Sequence, residues 1–161
     1  MLKKQNTQVQ IAKNLTKNLK VAIIRTDYYK ELNDNLEKHC RKTLIANGVD
    51  KTNIETFVAP GSWEIPLMVQ EAAKSKRFEA IVAFGVIVKG ETYHFNMIAN
   101  ECARALMELS LDYSIPIALG VLAVFDKNQA LERAGDNDRN KGVEAAIAVL
   151  KSLETLKKFK K

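Results

Sequence analysis

Residues 80–86 read Ala80-Ile81-Val82-Ala83-Phe84-Gly85-Val86, an uninterrupted run without a polar side chain. A short run that is apolar on both faces is typical of a buried strand in a parallel sheet, since helices cover both faces of such a sheet. The run therefore predicts a central strand of an α/β fold.

The sequence on both sides of this run alternates between short apolar segments and longer amphipathic ones. We predict further strands at 21–24, 54–58 and 115–122, and helices at 29–47, 63–75, 91–111, 128–134 and 141–156. The first helix shows apolar residues four apart, at Leu32, Leu36 and Cys40. Strand and helix alternating in this way predict a single doubly wound, flavodoxin-like α/β domain of three layers, with a four-stranded parallel sheet.

The domain is expected to occupy residues 19–156, between two basic ends. Residues 1–18 are predicted to form an N-terminal arm, and residues 157–161 a basic C-terminal tail. Residues 7–12 of the arm alternate weakly between apolar and polar side chains, with too little apolar surface to pair inside this domain. We expect this segment either to be disordered or to add an edge strand to a neighbouring subunit.

The formal charge of +6 raises the question of a nucleic-acid partner. Residues 1–20 carry +5 and residues 151–161 carry +4, which leaves −3 for residues 21–150. A nucleic-acid interface is normally built into the fold, with aromatic side chains among the basic ones. The excess charge here lies in the ends of the chain, so we expect solvated termini and no nucleic-acid partner.

The cysteines and the hydropathy pattern indicate where in the cell the protein is expected. Cys40 and Cys102 lack the spacing of a disulfide framework or a zinc site, and free thiols fit a reducing cytoplasm. No apolar run approaches the roughly 18 residues that a membrane span needs. Residues 1–19 contain no apolar signal segment. We expect a cytoplasmic protein with no membrane association.

Candidate chemistry follows the ends of the strands, because ligands of an open parallel sheet bind at the carboxyl ends of its strands. The strand-to-helix junctions contain Trp63, His94 and three of the four tyrosines. Aromatic side chains at loop ends favour a flat, partly apolar ligand.

Four features of these junctions have both a chemical and a structural interpretation. His94 suits general acid–base catalysis, or it faces the core or caps a turn. Gly90-Glu91-Thr92 opens the long helix and suits an anion, although many helices begin after a glycine. Arg133 suits a phosphate or carboxylate, or a surface ion pair. Glu64 suits a hydroxyl-bearing ligand, or the start of its helix. Neither GxxxxGK[ST] nor GxGxxG occurs.

Several ordered motifs stand at the same junctions. They are Pro60-Gly61-Ser62-Trp63-Glu64-Ile65-Pro66, Gly90-Glu91-Thr92-Tyr93-His94-Phe95, Ala99-Asn100-Glu101, Gln129-Ala130-Leu131-Glu132-Arg133-Ala134-Gly135 and Asn140-Lys141-Gly142. In order and spacing they resemble the lumazine synthase family, whose most specific patterns are PG-small-aromatic-EIP and GET-x-H-aromatic. The resemblance covers residues 19–156.

The resemblance implies an enzyme of riboflavin biosynthesis. Its reaction condenses 5-amino-6-ribitylaminouracil with 3,4-dihydroxy-2-butanone 4-phosphate to give 6,7-dimethyl-8-ribityllumazine, phosphate and water. Each step moves protons without redox chemistry, so the resemblance implies no cofactor and no metal.

The resemblance also assigns roles to residues of this sequence. It implies His94 as the catalytic proton shuttle. Binding of the pyrimidine and its ribityl chain is implied at Tyr28, Gly61, Ser62, Trp63, Glu64, Val86, Ile87, Val88 and Leu119. Binding of the phosphate is implied at Glu91, Thr92 and Arg133.

The partners implied by the resemblance are two small-molecule substrates, one of them phosphorylated, and further copies of the chain. The family's sites lie between adjacent subunits of a pentamer, with Leu119 supplied by the neighbour. The resemblance therefore implies a pentamer and leaves open a hollow shell of twelve pentamers (a 60-mer), and riboflavin synthase is a further candidate partner.

The sequence departs from the family pattern at four places, one of which is Ala123-Val124, where Thr-Thr is common. Asp27-Tyr28-Tyr29 stands where Arg-Phe-Asn is common, and Leu119 stands where Phe is frequent. Asp136-Asn137-Asp138-Arg139 replaces a kink that often contains Lys and Gly. These departures leave open a lumazine- or flavin-binding module without catalysis, and a purely structural shell. A response-regulator-like domain would need clustered acids after its first strand, where Asp27 stands alone.

Overall fold

The computed structural model describes residues 9–160. Its sheet consists of β1 (Val21–Thr26), β2 (Ile54–Ala59), β3 (Ala80–Val88) and β4 (Ile117–Val124). All neighbouring strands are parallel, in the order β2-β1-β3-β4. The predicted four-stranded parallel sheet is confirmed, with the run at residues 80–86 as one of its two central strands.

The helices cover both faces of this sheet. They are α1 (Lys13–Thr16), α2 (Lys30–Ala46), α3 (Ile65–Lys74), α4 (His94–Tyr113), α5 (Lys127–Ala134) and α6 (Lys141–Lys158), with a short 3₁₀ turn at Lys51–Asn53. Residues of α2, α5 and α6 pack on one face, and residues of α3 and α4 pack on the other. The three-layer, flavodoxin-like architecture predicted from the alternation of elements is therefore also confirmed.

Strand β1 shows why the central strands are apolar throughout. Val21 and Ile23 face the α2 and α6 layer, whereas Ala22 and Ile24 face the α3 and α4 layer. All four side chains are at most 1% exposed. Because successive side chains of a strand point to opposite faces, a strand covered by helices on both sides has no polar position.

The strand order places a crevice between β1 and β3. The chain passes from β1 to β2 on one side, and after α3 it returns to the other side of β1 as β3. Ligands of open α/β sheets bind where the winding direction reverses in this way. The loops that follow β1, β2 and β3 all meet at this end of the sheet.

The long helix begins three residues later than predicted, at His94 and not at Glu91. The reason is that β3 continues to Val88, where it pairs with Val124, and the backbone N–H of Lys89 still donates to the Val124 carbonyl at 2.8 Å. The chain therefore leaves the sheet late, and residues 90–93 form the turn into α4.

The fourth strand also begins later than predicted, at Ile117 and not at Ile115. The backbone N–H of Ile115 donates to the carbonyl of Ser110 in α4 at 3.2 Å, which ties Ile115 to the preceding helix. At the other end of the chain, α6 continues to Lys158 and so includes the first two residues of the predicted basic tail.

The N-terminal arm is described from Val9 onward; Thr7 and Gln8 lie outside the described residues. Residues 9–12 form no strand within the chain, and the Val9 N–H donates to Asn47 Oδ1 at 3.1 Å. Ile11 packs against the core, and Leu15 is buried in it. None of the helices between residues 9 and 160 has the length and hydropathy of a membrane-spanning segment.

Candidate active site

A cavity of about 700 Å³ opens at the carboxyl ends of β1, β2 and β3. Its volume falls within the roughly 300–1,000 Å³ that is common for small-molecule sites. The lining residues are Tyr28, Tyr29, Gly61, Ser62, Trp63, Glu64, Val86, Ile87, Val88, Gly90, Thr92, His94, Phe95, Met97 and Ile98. Of the thirteen residues that the sequence singled out, ten line this cavity.

The turn between β1 and α2 supplies two aromatic rings. Tyr28 is 67% exposed, and its ring meets the Tyr29 ring edge-on at a centroid distance of 5.0 Å. Tyr29 has φ 52° and ψ 51°, a left-handed conformation that costs a non-glycine residue about 1–2 kcal/mol. The turn is therefore strained and needs other contacts to hold it.

Those contacts come from Asn33, which is fully buried beneath the turn. Its Nδ2 donates to the carbonyls of Tyr28 at 2.8 Å and Tyr29 at 3.3 Å, and to Thr26 Oγ1 at 3.1 Å. The Thr26 hydroxyl donates to the same Tyr28 carbonyl at 3.3 Å. Two buried polar side chains thus fix the backbone that carries the aromatic rings.

The turn between β2 and α3 lies against β3 because Gly85 has no side chain. A Cβ at Gly85 would come within 2.7 Å of Ser62 Oγ and 3.1 Å of Ile65 Cδ1. Pro66 lies in the first turn of α3, where its missing N–H costs no hydrogen bond. The close approach brings Gly61 and Ser62 to the cavity and leaves Trp63 58% exposed beside it.

Glu64 contributes a carboxylate to the cavity wall. Its Oε2 lies over Gly61, 3.2 Å from where a Cβ would be. Within residues 9–160 this carboxylate has neither a hydrogen-bond donor nor an ion-pair partner. It is therefore available to accept hydrogen bonds from the hydroxyls of a ligand.

The floor and the far wall of the cavity are apolar. Val86, Ile87 and Val88 form the end of β3, and Met97 and Ile98 follow His94 by three and four residues on α4. Helical spacing places Met97 and Ile98 on the same side as His94. Phe95 and Gly90 belong to the quoted motif, and Tyr29 is one of the three tyrosines at the strand-to-helix junctions.

His94 is the first residue of α4 and lines the cavity with an exposed imidazole. It has no hydrogen-bond or ion-pair partner in the part of the chain that the structure describes. The alternative of a histidine packed against the core is therefore wrong. An exposed imidazole at a cavity wall can accept and donate protons.

The segment before α4 presents free backbone donors. The N–H groups of Gly90, Glu91 and Thr92 donate to no acceptor within residues 9–160. They stand at the positive end of a twenty-residue helix, which favours an anion. Gly90 and Thr92 line the cavity, whereas Glu91 does not.

Leu119 and Arg133 do not line the cavity of this chain. Leu119 lies on the edge strand β4 and is 56% exposed. It pairs with Ala83 of β3, which precedes Val86 by three residues, or about 10 Å at roughly 3.3 Å per residue. Arg133 lies on α5, where its Nη1 donates to the Gln129 carbonyl at 3.2 Å and pairs with Glu132 at 3.4 Å. A single chain does not bring these two residues into the cavity.

The cysteines take no part in the site. Cys40 packs on the α2 side of the sheet and Cys102 on the α4 side, so the sheet separates them. Burial raises the pKa of Cys40 well above its ordinary value, and burial raises the pKa of Cys102 to about 11. Neither thiol is an activated nucleophile. Within residues 9–160 no three potential metal ligands of the His, Cys, Asp and Glu types cluster.

Comparison with known proteins agrees with the motifs of the sequence. Residues 18–157 match the family model described as 6,7-dimethyl-8-ribityllumazine synthase. The chain is also 38% identical over 145 residues to the 6,7-dimethyl-8-ribityllumazine synthase of Ruthia magnifica subsp. Calyptogena magnifica. The aligned region covers 87% of each protein.

Proposed function

This chain belongs to the 6,7-dimethyl-8-ribityllumazine synthase family and is an enzyme of riboflavin biosynthesis, and we propose that its reaction takes place in the cavity at the ends of β1, β2 and β3. The substrates in this proposal are 5-amino-6-ribitylaminouracil and 3,4-dihydroxy-2-butanone 4-phosphate. The observation that carries it is the meeting of the aromatic turn, the Gly61–Glu64 turn and His94 around one cavity.

The pyrimidine end of the cavity is assigned to the aromatic and apolar residues. A flat ring can stack on Tyr28 and rest on the apolar end of β3, from Val86 to Val88. The ribityl hydroxyls then reach the Glu64 carboxylate and the backbone of the Gly61 turn. The free oxygens of Glu64 support this assignment, since hydroxyls need acceptors.

The phosphate is assigned to the start of α4. The unpartnered N–H groups of Gly90, Glu91 and Thr92 offer three donors at the positive end of the helix. A bound phosphate would be completed by a guanidinium, because backbone donors alone leave most of its charge unbalanced. Arg133 is the residue that we assign to this role.

Chemically, the substrate amine attacks the ketone to give a Schiff base with loss of one water. Phosphate then leaves by elimination, and closure of the ring onto the second carbonyl releases a second water. We assign to His94, which lines the same cavity as Gly90, Thr92 and the Tyr28 ring, the uptake and return of protons in these steps. Holding the two substrates together also lowers the barrier, and proximity alone is worth up to about 7–11 kcal/mol.

The site is proposed to be completed by a neighbouring subunit. Leu119 and Arg133 lie on β4 and α5, outside the cavity of their own chain, and Leu119 is exposed. Exposed apolar side chains elsewhere on the described chain, such as Trp63, Leu67 and Met107, provide surface for contacts between subunits. We infer a pentamer in which one subunit supplies the cavity and the next supplies Leu119 and Arg133.

Location and partners follow from the same proposal. Buried free thiols on opposite faces of the sheet support a reducing cytoplasm. Riboflavin synthase is the proposed protein partner, because its substrate is the lumazine made here.

Turnover separates the enzyme from a module that only binds lumazine. Purified protein is mixed with both substrates, and lumazine is followed by its absorbance while the product is titrated separately. The proposal predicts lumazine formation that depends on both substrates, together with release of one phosphate per lumazine. Tight binding of the product without turnover would instead identify a binding module.

A further inference from the structure

We propose that Asn33 is a positioning residue of this site, which holds the turn at Tyr28 so that the Tyr28 ring can stack on the pyrimidine. The inference rests on the proposed function, because it takes Tyr28 as the stacking wall. Asn33 does not line the cavity; it lies fully buried on α2 beneath the turn.

The Tyr28 ring has little packing of its own to fix it. It is 67% exposed, and within the described residues its aromatic contact is the edge of Tyr29. The place of the ring is therefore decided by the backbone that carries it. That backbone leads into Tyr29 in the left-handed conformation, which persists only where surrounding contacts enforce it.

The first backbone hydrogen bonds of α2 hold the Tyr29 carbonyl, to which the Leu32 and Asn33 N–H groups donate at 3.1 and 3.2 Å, and buried side chains hold the Tyr28 carbonyl before it. The Tyr28 carbonyl accepts from Asn33 Nδ2 at 2.8 Å and from the Thr26 hydroxyl at 3.3 Å. Asn33 Nδ2 also lies 3.1 Å from Thr26 Oγ1, so the two side chains form one connected group. Both residues are 0% exposed, and water does not compete for these bonds.

The side-chain oxygen of Asn33 helps to explain why an asparagine occupies this position. Its Oδ1 is buried and accepts no hydrogen bond within residues 9–160. An unpaired buried acceptor destabilises a fold, and a leucine of similar size would avoid that cost. Asn33 lies on the core-facing row of α2 with Leu36 and Cys40, where an apolar residue would be expected. Its donor group accounts for its presence.

Two variants remove the donors to the turn. In Asn33→Leu and in Thr26→Val, we expect the KM for the pyrimidine substrate to rise, by about five- to tenfold for Asn33→Leu and less for Thr26→Val. The kcat and the KM for the butanone phosphate should stay within about twofold, because His94 and the start of α4 are untouched. Lumazine formation is measured with each substrate varied in turn.

Thr43→Val is the matched control. Thr43 is a buried threonine of the same helix whose hydroxyl donates to the His39 carbonyl at 2.8 Å, with no contact to the turn. It should lower thermal stability about as much as Thr26→Val and leave both KM values unchanged. If Asn33→Leu does not fold, the comparison of Thr26→Val with Thr43→Val decides alone.

The inference is overturned if the pyrimidine KM is unchanged in the turn variants, if both KM values rise together, or if Thr43→Val has the same effect. If the variants give one of these results while the wild-type protein forms lumazine, only the role of Asn33 is contradicted and the proposed function stands. A wild-type protein that forms no lumazine would contradict the proposed function, and this inference with it.

Discussion

Among single residues, His94 has the role that can be isolated most cleanly. Its imidazole lines the cavity without a partner among the described residues, so its removal disturbs no structural contact there. His94→Ala should lower kcat for lumazine formation by about a hundredfold or more while the melting temperature stays near that of the wild type.

The chain offers a matched control in its other histidine. His39 bonds Asp136 through Nε2 at 2.8 Å and does not line the cavity. His39→Ala should leave kcat unchanged. A His94→Ala protein with the wild-type rate would remove His94 from the mechanism.

Arg133 is expected to act on one substrate only. Arg133→Ala should raise the KM for the butanone phosphate by about tenfold to a hundredfold, because a charge-assisted hydrogen bond is lost, and leave the KM for the pyrimidine unchanged. Arg77→Ala serves as the control, since Arg77 pairs with Glu55 on the surface. Equal changes in both KM values would contradict phosphate recognition by Arg133.

The residue types of the site could be predicted because loops that follow parallel strands must meet at one end of the sheet. Ten of the thirteen predicted residues line one cavity for that reason. The left-handed backbone at Tyr29 and the part played by Asn33 could not be predicted in the same way. They depend on the conformation of the turn and on hydrogen bonds from the first turn of α2 back to β1, and neither leaves a periodic pattern in the sequence.

Among the elements, α2 is joined to the edge of the sheet by a group of charges around Glu37. The Glu37 carboxylate accepts hydrogen bonds from Arg25 Nε at 2.8 Å, Arg41 Nε at 2.7 Å and the Thr56 hydroxyl at 2.5 Å. Burial acts to raise the pKa of Glu37, but the hydrogen bonds and the charge of Arg41 outweigh it and hold the pKa below 4.5. The folded state therefore stabilises the ionised carboxylate.

Replacement of Glu37 should have a pH-dependent effect on stability. A pKa that is lower in the folded state contributes stability above the unfolded value of 4.5, and this is lost as the pH falls through the folded value. Glu37→Gln should therefore melt at a lower temperature at pH 7, and the difference from the wild type should shrink as the pH falls below 4.5.

Glu31→Gln is the control on the same helix, because Glu31 is exposed and has no ion pair within residues 9–160. Thermal melts across pH 3–7 compare the three proteins. A constant difference between Glu37→Gln and the wild type over this range would contradict the assignment.

The crossing of α6 over α2 depends on Gly142. A Cβ there would lie 2.1 Å from the Leu36 carbonyl oxygen and 3.0 Å from the Cys40 nitrogen, both of them backbone atoms. Gly142→Ala should therefore destabilise the fold by about 1–3 kcal/mol. Gly90→Ala is the control, since a Cβ at Gly90 meets no atom within 4 Å. Equal denaturation midpoints for the two variants would show that α6 can move away.

The order and type of the main helices and strands could be predicted from apolar periodicity, but some of their ends could not. The start of α4 is displaced to His94 because β3 and β4 pair as far as Val88. The start of β4 is displaced because the backbone N–H of Ile115 donates a hydrogen bond to the Ser110 carbonyl in α4. In both places a tertiary hydrogen bond decides which element a residue joins, and local propensity carries no information about it.

For the whole molecule, the proposed site needs two chains. Leu119 and Arg133 lie outside the cavity of their own chain; the resemblance implied this for Leu119, whereas the motif around Arg133 carried no such information. The excess positive charge lies in the two ends of the sequence, and none of the described residues of these ends lines the cavity. The phosphate of a small substrate, and not a polynucleotide, is therefore the anion that the site is proposed to bind.

The most direct test is lumazine formation by oligomers that mix His94→Ala chains with Arg133→Ala chains, assayed at a low concentration of the butanone phosphate. Each variant alone has every site damaged. In a mixed ring, a site with the His94 of one subunit and the Arg133 of the next is intact, and a one-to-one mixture should regain about a quarter of the wild-type rate. Activity no higher than the mean of the two variants, with mixing verified by mass spectrometry, would contradict a site shared between subunits.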